Sequence, residues 1–327
     1  MTVPIITIFG GSGFVGRYIA RRMAKRGWRV RVAVRRPSEA HFVRPYGDVG
    51  QVEPIQANIR DEASTRAAIM GADVLVNCVG LLYEDSRQKF DGVQAEGAAR
   101  IARLATECGA SKLIHLSAIG ADADSDSNYG RTKAEGEAAV LEAFPNAVIL
   151  RPSIIFGQED QFFNRFASMA KMSPIIPMVG ADTKFQPVYV DDVAEAACIA
   201  ATTNASGLYE LGGPRTYTFR ELMELMLTEI RRRRLLASLP FGLAGIMAWG
   251  LSLVEVISLG LIKNRQITAD QIAMLRHDNV VADNAQTLAE LGVSATAAEG
   301  VIGEYLYAYR PYGQYDAITE SAANLKA

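Results

Sequence analysis

Cysteine is scarce. Cys78, Cys108 and Cys198 are the three in 327 residues, too few and too scattered for a disulfide framework or a zinc site. Histidine is equally rare, and His41, His115 and His277 have no carboxylate or cysteine partner at ligand spacing, so no metal is expected. An excess of either charge is also missing: 34 Lys+Arg against 36 Asp+Glu leave −2, which argues against nucleic acid as a partner. No basic region precedes the first apolar run, Ile5–Phe9, and that run ends in glycines after five residues. It reads as a strand, not a signal peptide.

What is present suits one large or two modest folded domains. Hydrophobic residues make up 49% and charged ones 21%, so the chain is not largely disordered. The mean hydropathy of +0.08 is high for a soluble protein. Part of that excess is one stretch, Leu235–Val254, that holds 20 residues without a charge.

The first half alternates short apolar runs with helical patterns. Strands are expected at Ile5–Phe9, Arg29–Val34, Val52–Gln56, Val74–Asn77, Lys112–Leu116 and Ala147–Leu150. Helices are expected over Val15–Lys25, Val93–Cys108 and about Lys133–Ala143, with another ending near Met70-Gly71. Repeated β-α-β units predict an α/β fold, a doubly wound Rossmann-type parallel sheet. After about residue 152 the regularity fades. The expected organisation is a nucleotide domain over 1–152 with a return segment near 186–201. A smaller, mostly helical C-terminal domain takes 153–185 and 202–327.

Gly10, Gly13 and Gly16 fall between the first strand and the first helix, in the run Gly10-Gly11-Ser12-Gly13-Phe14-Val15-Gly16. The first glycine suits a tight turn, the second admits a pyrophosphate to the backbone, and the third lets helix pack on strand. Where an NAD site usually carries an acid at the end of the second strand, this chain reads Val34-Arg35-Arg36-Pro37. Two guanidiniums there suit the 2′-phosphate of NADPH; the bland alternative is a pair of solvated loop arginines.

Ser117 follows the fifth strand, and Tyr129 and Lys133 stand four apart at the start of the next helix, on one face. An ammonium near a phenol lowers its pKa, so Tyr129 is fit to pass a proton to or from a carbonyl oxygen polarised by Ser117. Equally, the three side chains can simply hydrogen-bond ribose and nicotinamide.

Together with Asn77-Cys78-Val79-Gly80, Arg151-Pro152-Ser153 and Pro187–Val193, these motifs resemble the extended short-chain dehydrogenase/reductase superfamily, atypical branch, over about residues 4–215. The resemblance implies cofactor contacts from Gly10, Gly13, Phe14, Val15, Gly16, Arg35, Arg36, Asn58, Ile59, Cys78, Val79, Gly80, Tyr129, Lys133, Pro152, Ser153 and Ile154. The stretches Arg44–Gln51, Phe156–Phe162, Gln186–Val190 and Ile267–Ile272 with Asp278-Asn279 are more specific. They resemble the NADPH-binding accessory subunit family of respiratory complex I, NADH:quinone oxidoreductase, in a bacterial version. That resemblance implies a peripheral protein at the cytoplasmic face of the inner membrane, beside complex I subunits near the quinone-binding region. NADPH would be held for stability or assembly, outside the electron-transfer path.

Arg231–Arg234 immediately precede the apolar run 235–262. The arginines suit anionic headgroups, with a helix over Phe241–Ile262 lying on the membrane surface. A helix covering the site cleft and a true span are the alternatives; Pro240, the glycines and Glu255 weaken the span. The leading expectation is therefore a non-catalytic NADPH-binding subunit anchored through Arg231–Ile262. A free NADPH-dependent reductase or epimerase on a hydrophobic substrate is the runner-up, and a sensor of the NADPH/NADP ratio the third.

Overall fold

The computed structural model describes residues 3–81, 84, 89–243, 245 and 268–315. The chain divides into two compact units, Met1–Ser153 with Val190–Gly212 and Val281–Ala295, and Ile154–Tyr189 with Gly213–Val280 and Thr296–Ala327.

The first unit is built on a seven-stranded sheet. In chain order its strands are β1 Ile5–Phe9, β2 Arg29–Val34, β3 Val52–Gln56, β4 Val74–Asn77, β5 Lys112–Leu116 and β6 Val148–Pro152, followed by Gly207–Leu211. The spatial order runs from that last strand through β6, β5, β4, β1 and β2 to β3, every pairing parallel. Such a sheet is covered on both faces, so its strands are apolar on both sides; β4 is wholly buried. Helices α1 Phe14–Lys25, α2 Glu62–Ile69, α3 Glu96–Glu107, α4 Asn128–Ala143 and Val190–Thr202 supply the covers. Phe9, Leu75, Leu113 and Ile149 pack with Ile101 and Leu104 of α3. Thr7, buried in β1, gives its hydroxyl hydrogen to the Ala68 carbonyl at 3.0 Å, so no polar group is stranded there. Arg22 of α1 is bidentate to Asp191 at 2.7 Å and also meets Glu195.

Two boundaries differ from the expectation. The strand Gly207–Leu211, placed by the sequence reading in the smaller domain, is the sheet's edge strand, paired with β6. Residues 281–295 also return to this unit, tied by the Glu210 amide donating to Gln286 at 2.8 Å and by Ala282 donating to the Glu210 carboxylate at 2.9 Å. The helix expected from Val93 begins as a π-turn over Asp91–Ala95 before α3.

The second unit has a core of Phe156, Phe163, Ile176, Phe185, Phe219, Leu222, Met226 and Ile302. Its two-stranded pieces include Ile175–Val179 paired in parallel with Leu235–Leu239. The first five residues of the apolar run are therefore a strand, ahead of Pro240 and of the helix expected over 241–262. Residues 244 and 246–262 lie outside the described residues, and with them the helix expected over 241–262. Among the described residues no helix is long and apolar enough to cross a membrane. Within the arginine run, Arg232 donates to the Tyr309 carbonyl at 2.8 Å and Arg234 to the Ala170 carbonyl at 2.7 Å.

Candidate functional site

The sheet order reverses between β1 and β4, the place where doubly wound folds open a crevice at the strands' carboxyl ends. The glycine loop leaves β1 there. Gly10 has φ of +74°, a left-handed conformation that costs an L side chain. A Cβ on it would stand 3.3 Å from the Cys78 carbonyl, and one on Gly16 would stand 2.5 Å from the Gly10 oxygen. The turn is closed by Gly13 donating to Gly10 O at 2.8 Å. Gly13 caps α1 with no side chain, and the first turn has no acidic residue, so its orphan N–H groups and dipole remain available to a phosphate. Arg17 donates to the Ser12 and Gly13 carbonyls, a brace on the loop that the motif did not announce.

An open cleft of about 610 Å³ runs from this loop. Of the residues named from the sequence, Gly10, Gly13, Arg35, Arg36, Asn58, Ile59, Cys78, Val79 and Gly80 line it. Phe14, Val15 and Gly16 do not: Val15 and Gly16 are buried in α1 and Phe14 packs edge-on to Tyr18. The cleft adds Ser12, Glu39, Arg60, Leu81 and Val93, which the sequence reading missed. Glu39 and Arg60 lie beyond the strand tips, in the 3-10 segment Pro37–Tyr46 and after Ile59, and no spacing rule reaches them.

Ser117, Tyr129, Lys133, Pro152 and Ser153 do not line this cleft, but α4 brings two of them together and toward it. The Lys133 ammonium lies 5.9 Å from the Tyr129 ring centre and 3.4 Å from where a Cβ on Gly80 would be. Phe90 stacks edge-on to Tyr129 at 5.8 Å. Lys133 donates to the Leu116 carbonyl at 3.2 Å, and burial pulls its pKa down to about 8 against the pull of Glu137. That carboxylate is already held by Arg151 at 2.6 Å. Ser117 is buried and its Oγ has no hydrogen-bond partner among the described residues. An orphan hydroxyl of this kind calls for an explanation, and a ligand oxygen is one. Pro152 ends β6 and accepts from Ile119, and Ser153, just after it, donates to Leu211. Ile154 belongs to the second unit, where its carbonyl accepts from Val188. The Cys78 thiol is pushed up to about 12 by burial, so it is a protonated small hydrophobe rather than a nucleophile.

The parallel order, the switch-point glycine loop and this side-chain set agree with a broader match: residues 6–212 fit the description "NAD dependent epimerase/dehydratase family". The chain belongs to that family. It is 36% identical over 316 residues to "NADH dehydrogenase [ubiquinone] 1 alpha subcomplex subunit 9, mitochondrial" of Arabidopsis thaliana, covering 94% of this chain and 79% of the plant protein. It is 32% identical to the NADH-ubiquinone oxidoreductase 40 kDa subunit of Neurospora crassa, over 95% of this chain and 80% of that one. It is also 32% identical to a ceramide reductase of Caulobacter vibrioides, over 67% and 68%. The same fold occurs in the Bordetella bronchiseptica enzyme WbmG solved with NAD, at 14% identity, TM-score 0.68, and coverage of 96% and 95%.

The epimerase/dehydratase fold fits a nicotinamide dinucleotide here on local grounds. The Gly10 carbonyl and the glycine Cα surfaces leave no room for side chains, the start of α1 offers N–H donors, and Ser117 holds an unused hydroxyl.

Proposed function

We propose that this protein is an accessory subunit of respiratory complex I that binds NADPH for stability or assembly. It would act outside the electron-transfer path, peripherally, at the cytoplasmic face of a bacterial inner membrane. The carrying observation is the 36% identity that extends over nearly the whole chain and most of a complex I subunit, well past the nucleotide-binding half. NADPH rather than NADH is supported by Arg35, Arg36 and Arg60 in the cleft lining, since guanidiniums pair with a 2′-phosphate. The bound cofactor would be held by Gly10, Gly13 and the α1 N-terminus at its phosphates, with Ser117, Tyr129 and Lys133 on its nicotinamide half. The partners would be complex I subunits near the quinone-binding region and the membrane surface reached through Arg231–Ile262, where Arg231 and Arg233 are exposed. The test is native purification at low salt. Comigration of the chain with complex I, and release of NADPH on denaturation, are expected; a free protein in a cell that assembles complex I overturns the reading.

A second reading has its own observation, the likeness to a ceramide reductase. In that reading NADPH supplies hydride to a hydrophobic carbonyl substrate. Tyr129 delivers the proton from its hydroxyl, Lys133 holds the phenolate that remains, and Ser117 Oγ orients the carbonyl oxygen. Stereospecific NADPH oxidation that is lost in Tyr129→Phe would establish it over the first.

A further inference from the structure

The cleft lining that includes Arg35, Arg36 and Arg60 also includes a carboxylate, Glu39. The backbone fixes it there. Pro37 opens a 3-10 turn directly after Arg36, and the Glu39 amide donates to the Arg36 carbonyl at 3.1 Å. The Glu39 and Arg36 side chains are therefore carried on one turn, and they meet as an ion pair at 2.9 Å. Both are well exposed, 66% and 75%, so they hold each other weakly and can exchange for another partner.

We propose that Glu39 is the residue that limits how strongly this cleft prefers a 2′-phosphorylated dinucleotide. In the free protein it is the counter-ion of Arg36. When the 2′-phosphate enters, Arg36 turns from a monodentate carboxylate to a phosphate, which offers charge-assisted bonds to more than one oxygen. Glu39 stays on the same turn, its amide held to the Arg36 carbonyl at 3.1 Å, so a like charge remains near the phosphate. The proposal rests on the NADPH reading above and deepens it.

The charges support this assignment. Glu39 offsets the Arg36 charge across their 2.9 Å ion pair, while a phosphate monoester brings about two negative charges at neutral pH. With Glu39 present Arg36 is shared between two anions; without it, the whole guanidinium charge faces the phosphate. The alternative role for an acid in this region is to accept from the ribose hydroxyls of NADH. That acid belongs at the tip of the second strand, about 20 residues past the glycine loop, where this chain has Arg35 and Arg36. Glu39 comes one turn later and is already paired, which fits a counter-ion better than a ribose acceptor.

The experiment is equilibrium binding of NADPH and of NADH to the whole protein, stripped of copurified nucleotide, for wild type and Glu39→Gln. Glu39→Gln is expected to tighten NADPH about three- to fivefold at low ionic strength, the range of an exposed charge pair. NADH binding should stay unchanged, and the NADPH gain should shrink as salt screens it. Unchanged or weakened NADPH binding in Glu39→Gln, with a wild type that binds NADPH, overturns the proposal and leaves the NADPH reading standing. A wild type that prefers NADH, with NADH weakened in the variant, makes Glu39 a ribose acceptor and overturns it as well. A wild type that binds neither nucleotide overturns the NADPH reading and this proposal with it.

Discussion

His115 faces a choice that its neighbours make for it. Asn77 Oδ1 accepts from the Val79 amide at 3.1 Å, so Asn77 Nδ2 is the group that meets His115 Nδ1 at 3.0 Å. A donor there leaves Nδ1 as acceptor and puts the ring proton on Nε2, which is buried with no partner among the described residues. Burial, helped by the nearby Lys133 charge, drives the His115 pKa down to about 3 from 6.5. Between those values the unfolded chain binds a proton that the folded chain refuses, so stability rises with pH through the window from 3 to 6.5 and is lost on acidification. His115→Gln removes that titration. Its unfolding free energy, from urea titrations at pH 6.5, 5.5 and 4.5, should fall less steeply than wild type by about 1.4 kcal/mol per pH unit; an equal slope would place the proton on the folded histidine after all. Lys133 gives a second window at the other end of the scale. Its pKa of about 8 lies below the ordinary 10.5, so the folded state loses a proton before the unfolded state does. Wild type should gain stability relative to Lys133→Met as pH climbs from 8 to 10.5, by about 3 kcal/mol in all, read from denaturant midpoints of nucleotide-free protein.

At the level of elements, α4 and the π-turn approach so closely that only a glycine fits between them. A Cβ on Gly136 would run into the Gln94 carbonyl oxygen, while the Gln94 side chain donates to Leu81 O at 2.8 Å and accepts from Thr132 at 3.2 Å. Gly136→Ala should therefore push α4 from its seat and cost about 1–3 kcal/mol, with Tyr129 and Lys133 displaced on the same helix. Gly92, in the same turn, has open space where its Cβ would go, so Gly92→Ala should stay within about 0.5 kcal/mol of wild type. Equal losses for the two, by chemical denaturation, would remove close packing as the cause. This contact was not legible in the sequence, because nothing local says which residue of another helix a glycine must admit. The glycine loop, the strand tips and the Tyr129–Lys133 pair were legible, since turn chemistry and the i, i+4 rule act over a few residues. Long-range pairings were not: Gly207–Leu211 joins β6 across more than fifty residues, and Glu39 enters the cleft only because a 3-10 turn bends the chain back. The start of the apolar run was ambiguous for a related reason, because Leu235–Leu239, before Pro240, pairs as a strand of the second unit and composition alone does not separate such a strand from a membrane-facing segment.

For the whole molecule, the proposed role of holding a cofactor without turnover would have stability as its consequence. A ligand that binds only the folded chain at a thousandfold over its Kd stabilises it by about 4 kcal/mol, a large share of the 5–15 kcal/mol typical of a domain. That gain belongs to the first unit, since the glycine loop, β1, β4 and the cleft all lie in it. Saturating NADPH should slow amide hydrogen exchange most in Ile5–Phe9, Val74–Asn77 and the first turns of α1, where opening would release the nucleotide. Gly16→Ala supplies the control, because its Cβ would lie 2.5 Å from the Gly10 oxygen and 2.7 Å from the Gly11 Cα and so spoils the phosphate turn. In that variant added NADPH should protect nothing. Protection that survives the substitution would mean that the nucleotide binds elsewhere; equal slowing across Phe163–Met172 and Phe219–Glu229 of the second unit would mean that both units open as one.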